Sequence, residues 1–271
     1  MKNFEEMTVR ELVELGGEAK SPQRVSSDKA FKKRMAQKDQ RSFVQFKDKG
    51  AKNVNQTLTL TQAGTLFGLM AYVGDNQGNL ISEKEKLGTE QLAKLLKTSK
   101  ASLQRNIGEL VSLGYVIANK EGRKVVYAVS PYLAIRGEKA DKDLFSKLYV
   151  VELRKLIQTL TLPELGMLFM MVPYFNTKFY TLCRTPYELD ANKVELFDRE
   201  RFAEEVGISL VQVKRLIASL LKKQALVGLR TCRTALIITP KLVSRQNRFV
   251  TIEEVTDVIG NELNVRERME W

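Results

Sequence analysis

The chain has 271 residues, 44% of them apolar, with 44 Lys and Arg against 32 Asp and Glu, a formal net charge of +12 and no histidine. That length and apolar content suit one or two globular domains with their own cores, and the excess of positive charge favours a polyanionic partner, whose condensed counterions are released as phosphates are neutralised. The lack of histidine excludes Ser–His and Cys–His nucleophilic sites, the HExxH zinc motif and paired-His metal motifs, and no GxxxxGK[ST] phosphate loop is present.

Nothing in this composition calls for catalysis, a cofactor or a metal, so the expectation is a binding protein rather than an enzyme. No run of about 18 apolar residues offers a membrane span. The first 20 residues carry acids and no apolar stretch of the secretory kind, so no signal peptide is expected. Two cysteines, Cys183 and Cys232, are too few for a disulfide framework or a zinc cluster and read as reduced thiols, which suits the cytoplasm.

Residues 1–42 read as a basic, partly disordered arm. Thr8–Leu15 suits a short amphipathic helix stopped by Gly16 and Gly17. Residues 18–52 then carry eleven Lys or Arg against four Asp or Glu, with little apolar content before Phe43. Such a stretch buries too little surface to offset its ordering entropy. Two readings stay open: an arm that tracks phosphates, or a solvated tail.

Phe43–Phe46 alternates apolar and polar residues like a short strand. A helix over about Thr61–Met70 follows a Thr cap, and then a polar loop runs from Gly74 to Gly88 with a possible short strand at Leu80–Ile81. Thr89 is expected to cap a helix to about Leu96. Ser99 is expected to cap a third helix ending at Gly114. Tyr115–Ile117 and Lys124–Val129 flank a basic turn containing Gly122, which makes a hairpin.

The same order recurs further on. Residues 90–117 and 200–227 align without a gap at an offset of 110, matching Ala93 with Ala203, Ser99 with Ser209, Arg105 with Arg215, Ile107 with Ile217 and Leu110 with Leu220. Thr161 starts a helix with Pro163 in its first turn. Asp198 caps Arg199–Val206, Gly207 makes the turn, and Ser209 caps a helix to about Gln224. A second hairpin spans Ala225–Leu229 and Ala235–Thr239. Between the copies, Leu144–Leu160 reads as one helix, either core or a self-association surface, and Thr251–Trp271 reads as a terminal helix.

The expected class is therefore mainly α with small β-hairpins (α+β), as tandem winged helix–turn–helix domains. The expected divisions are an arm over 1–42, a first winged-helix domain over 43–140, a second over 141–248 and a helical tail over 249–271.

An α-helix fits the major groove, with its N-terminal part reaching base edges. In the first copy, helical spacing buries Leu103, Ile107 and Leu110. Ala101, Ser102 and Arg105 then point outward, with Gln104 at the flank. Arg105 suits guanine and Gln104 adenine. Ser99 caps the positive helix end, where neighbouring N–H groups meet a phosphate, and Lys97 and Lys100 are phosphate candidates. In the second copy Val213, Ile217 and Leu220 are core, Ser209 is the cap, and Val211, Gln212, Lys214 and Arg215 are outward.

Lys222 and Lys223 are accounted for as cations at a helix C-terminus. The hairpin tips carry Lys120, Arg123 and Lys124 in the first copy and Arg230 and Arg233 in the second, either as basic wings along a DNA backbone or as solvated charge. The helix over Arg199–Val206 carries Glu200, Glu204 and Glu205, acidic where the corresponding segment of the first copy has Lys94 and Lys97, so the first copy is expected to be the main reader.

The stretch from Ser42-Phe43-Val44-Gln45-Phe46 through Ser130-Pro131-Tyr132-Leu133-Ala134-Ile135-Arg136-Gly137 resembles the RepL-like winged-helix replication proteins of Firmicute plasmids. The resemblance covers about a third of the chain, and the pattern of residues 99–116 is shared with MarR-type repressors. Tandem winged helices are a feature of plasmid replication initiators that bind repeated origin sequences, and phage regulators fit equally. The resemblance implies a bacterial plasmid or phage protein that binds double-stranded DNA at an origin or operator, as replication initiator or transcriptional repressor. It would act as a homodimer and alongside replication or transcription machinery. The alternative is a winged-helix protein–protein scaffold with weak or no specific DNA binding.

Overall fold

The computed structural model describes residues 23, 24, 26, 27, 38–55, 57–75, 77–137, 144–230 and 234–263. The expected helix at Thr8–Leu15, Arg233, Cys232 and Trp271 lie outside the described residues. The chain divides into a unit of residues 1–40 with 247–249 and a unit of residues 41–246 with 250–271. In the former, Gln23, Arg24, Ser26 and Ser27 have helical backbone, and the Asp39 amide donates to the Asn247 carbonyl at 3.0 Å.

In the larger unit, β1 (Phe43–Lys47) leads into α1 (Asp48–Asn55) and α2 (Leu60–Met70). A two-stranded ribbon, β2 (Ile81–Ser82) and β3 (Glu85–Lys86), comes next, then α3 (Thr89–Leu95), α4 (Lys100–Ser112), the hairpin β4 (Val116–Glu121) and β5 (Lys124–Val129), and β6 (Ala134–Ile135). The series then runs again: β7 (Phe145–Tyr149), α5 (Val150–Thr159), α6 (Leu162–Met171), α7 (Arg199–Val206), α8 (Leu210–Lys222), the hairpin β8 (Leu226–Arg230) and β9 (Thr234–Ile238), and β10 (Val243–Ser244). Helix α9 (Ile252–Glu262), capped by Thr251, follows. The class is α+β: helices with small antiparallel sheets.

Local chemistry starts most of these helices. Thr59 and Gln62 form a capping box at α2, each side chain bonding the other's backbone amide, and at the start of α6 the Glu164 carboxylate accepts from both the amide and the hydroxyl of Thr161, at 2.7 and 2.9 Å. Ser99, Asp198 and Ser209 accept from the amide three residues on. Helix α3 departs from expectation: its N-cap is Gly88, Thr89 is its first residue, and Gln91 rather than a Thr hydroxyl bonds the cap, at 3.0 Å from the Gly88 amide.

A second correction concerns Leu144–Leu160. It is not one helix but a strand (β7) running straight into α5. Leu153, Leu156, Ile157 and Leu160 fill the core, whereas Val151 is exposed.

An internal two-fold relationship organises the unit. The four-stranded sheet has the order β10-β7-β1-β6. At its centre β1 and β7 pair antiparallel with Gln45 opposite Lys147. Each of these strands also takes its own copy's closing strand on its outer edge: Gln45 opposes Ile135, and Lys147 opposes Ser244. The side chains follow suit, Gln45 donating to the Gly137 carbonyl at 2.7 Å and Lys147 to the Gln246 carbonyl at 2.9 Å.

Behind the sheet, α2 and α6 cross at contact distance, and Phe46, Phe67 and Phe169 meet edge to face with centroids 5.3–6.4 Å apart. Arg154 lies over the Tyr72 ring, and Lys52 lies reciprocally over the Tyr174 ring, at 4.8 and 4.7 Å.

This symmetry has a sequence trace that the 110 offset does not catch. Gln56-Thr57-Leu58-Thr59-Leu60 recurs intact as Gln158-Thr159-Leu160-Thr161-Leu162, at an offset of 102, and Gly64, Phe67 and Tyr72 recur as Gly166, Phe169 and Tyr174. The stretch between Tyr174 and Ala203 is eight residues longer than that between Tyr72 and Ala93, which converts one offset into the other.

Candidate nucleic-acid interface

In each copy a short helix and a thirteen-residue helix are joined by a tight turn: α3 to α4, and α7 to α8. The turn needs a left-handed residue. Gly207 supplies it in the second copy (φ 68°), where glycine has no Cβ to clash. The equivalent residue of the first copy is Lys97 (φ 52°), a strained choice for a side chain.

Helix α4 buries Leu103, Asn106, Ile107 and Leu110, and α8 buries Val213, Leu216, Ile217 and Leu220. The opposite face of α4 exposes Ala101, Gln104 and Arg105, and that of α8 exposes Val211, Gln212, Lys214 and Arg215. Ser102 is half-buried, and its amide donates to the Ser99 hydroxyl at 3.1 Å. Sequence periodicity missed Asn106. It is buried and donates to the Thr65 hydroxyl at 2.9 Å, tying α4 to α2 through a polar bond where the second copy has Leu216.

The expected cationic site residues divide into engaged and open groups. Lys97 donates to the Gln158 carbonyl at 2.9 Å, joining the first copy's turn to α5 of the second. Lys124 donates to the Lys86 carbonyl at 2.7 Å, and Lys86 pairs with Glu121, so the β2–β3 ribbon braces the first hairpin. Lys100 lies 3.5 Å from Glu90 and Lys214 3.0 Å from Glu200, the same acid position in the two copies. The Lys214 hydrogen bond holds the Glu200 carboxyl below its usual range. Thus one acid of α7 is paired by a lysine on the open face of α8. Glu205 lies 4.0 Å from Arg184, and Glu204 is exposed.

Lys120 and Arg123 are exposed around the turn of the first hairpin. Arg230 ends β8, and its side chain lies outside the described residues, as does all of Arg233. Gln104, Arg105 and Arg215 stand in solvent without a partner among the described residues. Arg215 borders a groove of about 510 Å³ lined also by Thr57, Thr59, Thr61, Ser209 and Gln212, so the entry of α2 from the first copy meets the start of α8 from the second.

Lys223, expected to serve the helix terminus, instead donates to both carboxylate oxygens of Glu164, at 2.9 and 2.8 Å. Burial alone would raise the Glu164 carboxyl. Bonds from Lys223, Ser219 and the Thr161 amide and hydroxyl overcome that and bring it down to about 2. A second buried pair also escaped the sequence. Asp48 and Arg245, both almost wholly buried, lie 3.0 Å apart, with Ser146 and Tyr187 donating to Asp48 and the Phe175, Val172 and Pro173 carbonyls accepting from Arg245. Burial pushes the Asp48 carboxyl up, and these partners pull against it. Cys183 is buried, and desolvation moves its thiol up to about 11, which leaves it unreactive.

Comparison of the chain with protein-family models, with curated proteins and with solved structures gives no match. Among the described residues no helix is long and apolar enough to cross a membrane.

Proposed function

We propose that the chain is a tandem winged-helix protein that binds double-stranded DNA sequence-specifically and without catalysis, with α4 and α8 as reading helices and the two hairpins as wings. On this reading it occupies an origin or operator of a bacterial plasmid or phage, as a replication initiator or a repressor. The observation that carries the proposal is the equivalence of the two helices. Each starts at a serine cap, buries one largely apolar face, and holds an arginine without a partner among the described residues at the same place on its open face, Arg105 and Arg215. An arginine presented in this way suits the O6 and N7 atoms of guanine.

The internal two-fold adds a geometric expectation. Duplex DNA has its own dyads, so two readers related by a two-fold meet half-sites that run in opposite directions. The half-sites are unequal, because Gln104 in one helix is Lys214 in the other. Both readers belong to one unit, which makes the second engagement intramolecular and raises affinity through effective concentration.

The test is selection of bound fragments by the full chain, followed by mobility shifts at rising salt. Specific binding should weaken with a log–log slope near −0.9 per phosphate contacted. Failure to enrich any sequence would overturn the proposal in favour of a protein-binding scaffold. Enrichment of iterated repeats beside an AT-rich segment would assign initiation, and of promoter-overlapping sites repression.

A further inference from the structure

Val211 is the most exposed large apolar side chain among the described residues, at 76% of its accessible surface, and it sits in the first turn of α8. Nothing in folding explains it there. A β-branched residue is a mediocre helix former, its methyl groups face water, and the core-facing positions of α8 are filled by Val213, Leu216, Ile217 and Leu220. Its surroundings are polar and cationic: the Ser209 cap, Gln212, and Arg215 one turn further along the same face. The equivalent residue of α4 is Ala101, also exposed and one turn ahead of Arg105. Both open faces therefore carry an apolar side chain followed, four residues later, by arginine.

Resting on the DNA-binding reading above, we infer that Val211 recognises the 5-methyl group of a thymine in the major groove, and so makes this half-site specific for an A·T pair near the guanine of Arg215. Thymine is the one base that offers a methyl group in that groove, and apolar side chains read it by contact. Four residues of helix advance about 6 Å, and DNA advances about 3.4 Å per base step, so the thymine lies within about two base pairs of the guanine. Gln212, adjacent on the helix, carries an amide suited to the N6 and N7 atoms of adenine. Ala101, with a shorter reach, makes the corresponding contact weaker in the other half-site.

The experiment replaces thymines of the selected site by deoxyuridine one at a time, which removes the methyl group and leaves every hydrogen-bonding atom in place. The half-site of α8 is identified as the one whose guanine preference is relaxed by Arg215→Ala. There, one thymine should become sensitive in the unmodified protein, with about fourfold weaker binding, the equivalent of one buried methyl group. In Val211→Ala the same replacement should change binding less than twofold, with a melting temperature that does not fall. Equal binding of every uracil-containing site would overturn the inference while leaving DNA binding intact. So would a sensitive thymine that stays sensitive in Val211→Ala. Failure to select any site would overturn both.

Discussion

Gly64 and Gly166 face each other's helices across the internal two-fold. A methyl group placed on Gly64 would lie 1.8 Å from the Leu162 carbonyl oxygen, and one on Gly166 would lie 1.9 Å from that of Leu60. The obstacle in each case is backbone at the start of the opposing helix, so no side-chain rotation relieves it. Gly64→Ala and Gly166→Ala should each cost about 3 kcal/mol or more and lower the melting temperature by roughly 6–12 °C, by closely similar amounts. Gly108→Ala is the control. Its added carbon meets nothing within 4 Å in the interior of α4, so it should stabilise by about 0.5–1 kcal/mol. Thermal unfolding of the three variants checks this, and a tolerated Gly64→Ala would contradict the close helix crossing.

Asp48 and Arg245 are 197 residues apart in sequence and both only 4% exposed. Removing one charge strands the other, so Asp48→Asn or Arg245→Met should each cost about 3–5 kcal/mol. The double variant should cost much less than the sum, since neither charge is then left alone. Urea unfolding of the full cycle measures the coupling. Additive losses would show that the two groups act independently.

How much of this was legible beforehand depended on whether a pattern was local. The helix–turn–helix segments could be read because caps, turns and apolar spacing recur at a constant offset of 110, and Ser99, Ser209, Arg105 and Arg215 lie where that register puts them. The helix beginning at Thr161 is legible as the counterpart of the first copy's Thr61–Met70 segment, but the identity of Gln56–Leu60 with Gln158–Leu162 escapes the 110 offset, because the longer second connection shifts the register. Leu148 and Leu156 fit one helical stripe, which carries the expected helix back through β7, whereas Leu148 pairs with Val44 across the sheet. Charge alone suits Lys97 to a phosphate and Lys124 to a basic wing, and helical spacing turns Lys214 outward; their bonds to Gln158, Lys86 and Glu200 come from chain segments that composition does not bring together. The Asp48–Arg245 pair left no trace, since an isolated charge in a basic sequence looks like surface.

Glu164 gives the fold a defined acid limit. Its carboxyl titrates near 4.5 when unfolded and about 2 when folded. The stabilisation is therefore fully present above about pH 4.5 and is lost as pH falls through 2. A depression of that size corresponds to about 3 kcal/mol at neutral pH. Glu164→Gln, which gives α6 the capping residue that α2 already has in Gln62, should destabilise the protein at pH 7 and lose most of that penalty at pH 2. Unfolding midpoints in urea at the two pH values decide it; an equal penalty at both would remove Glu164 from the acid response.

The last prediction concerns the proposed reading surface. Arg105→Ala and Arg215→Ala remove side chains that support nothing within the fold, so unfolding stability should change by less than about 0.5 kcal/mol. Binding to the selected site should weaken by about 1–3 kcal/mol for each, with discrimination relaxed at one base pair, in opposite half-sites for the two variants. Lys120→Ala, at the first hairpin turn, should by contrast weaken binding to all sequences alike and reduce the salt slope by about one. Quantitative binding to single-base variants of the site distinguishes these patterns. Loss of specificity from Lys120→Ala, with none from the two arginine variants, would place recognition on the hairpins rather than on α4 and α8.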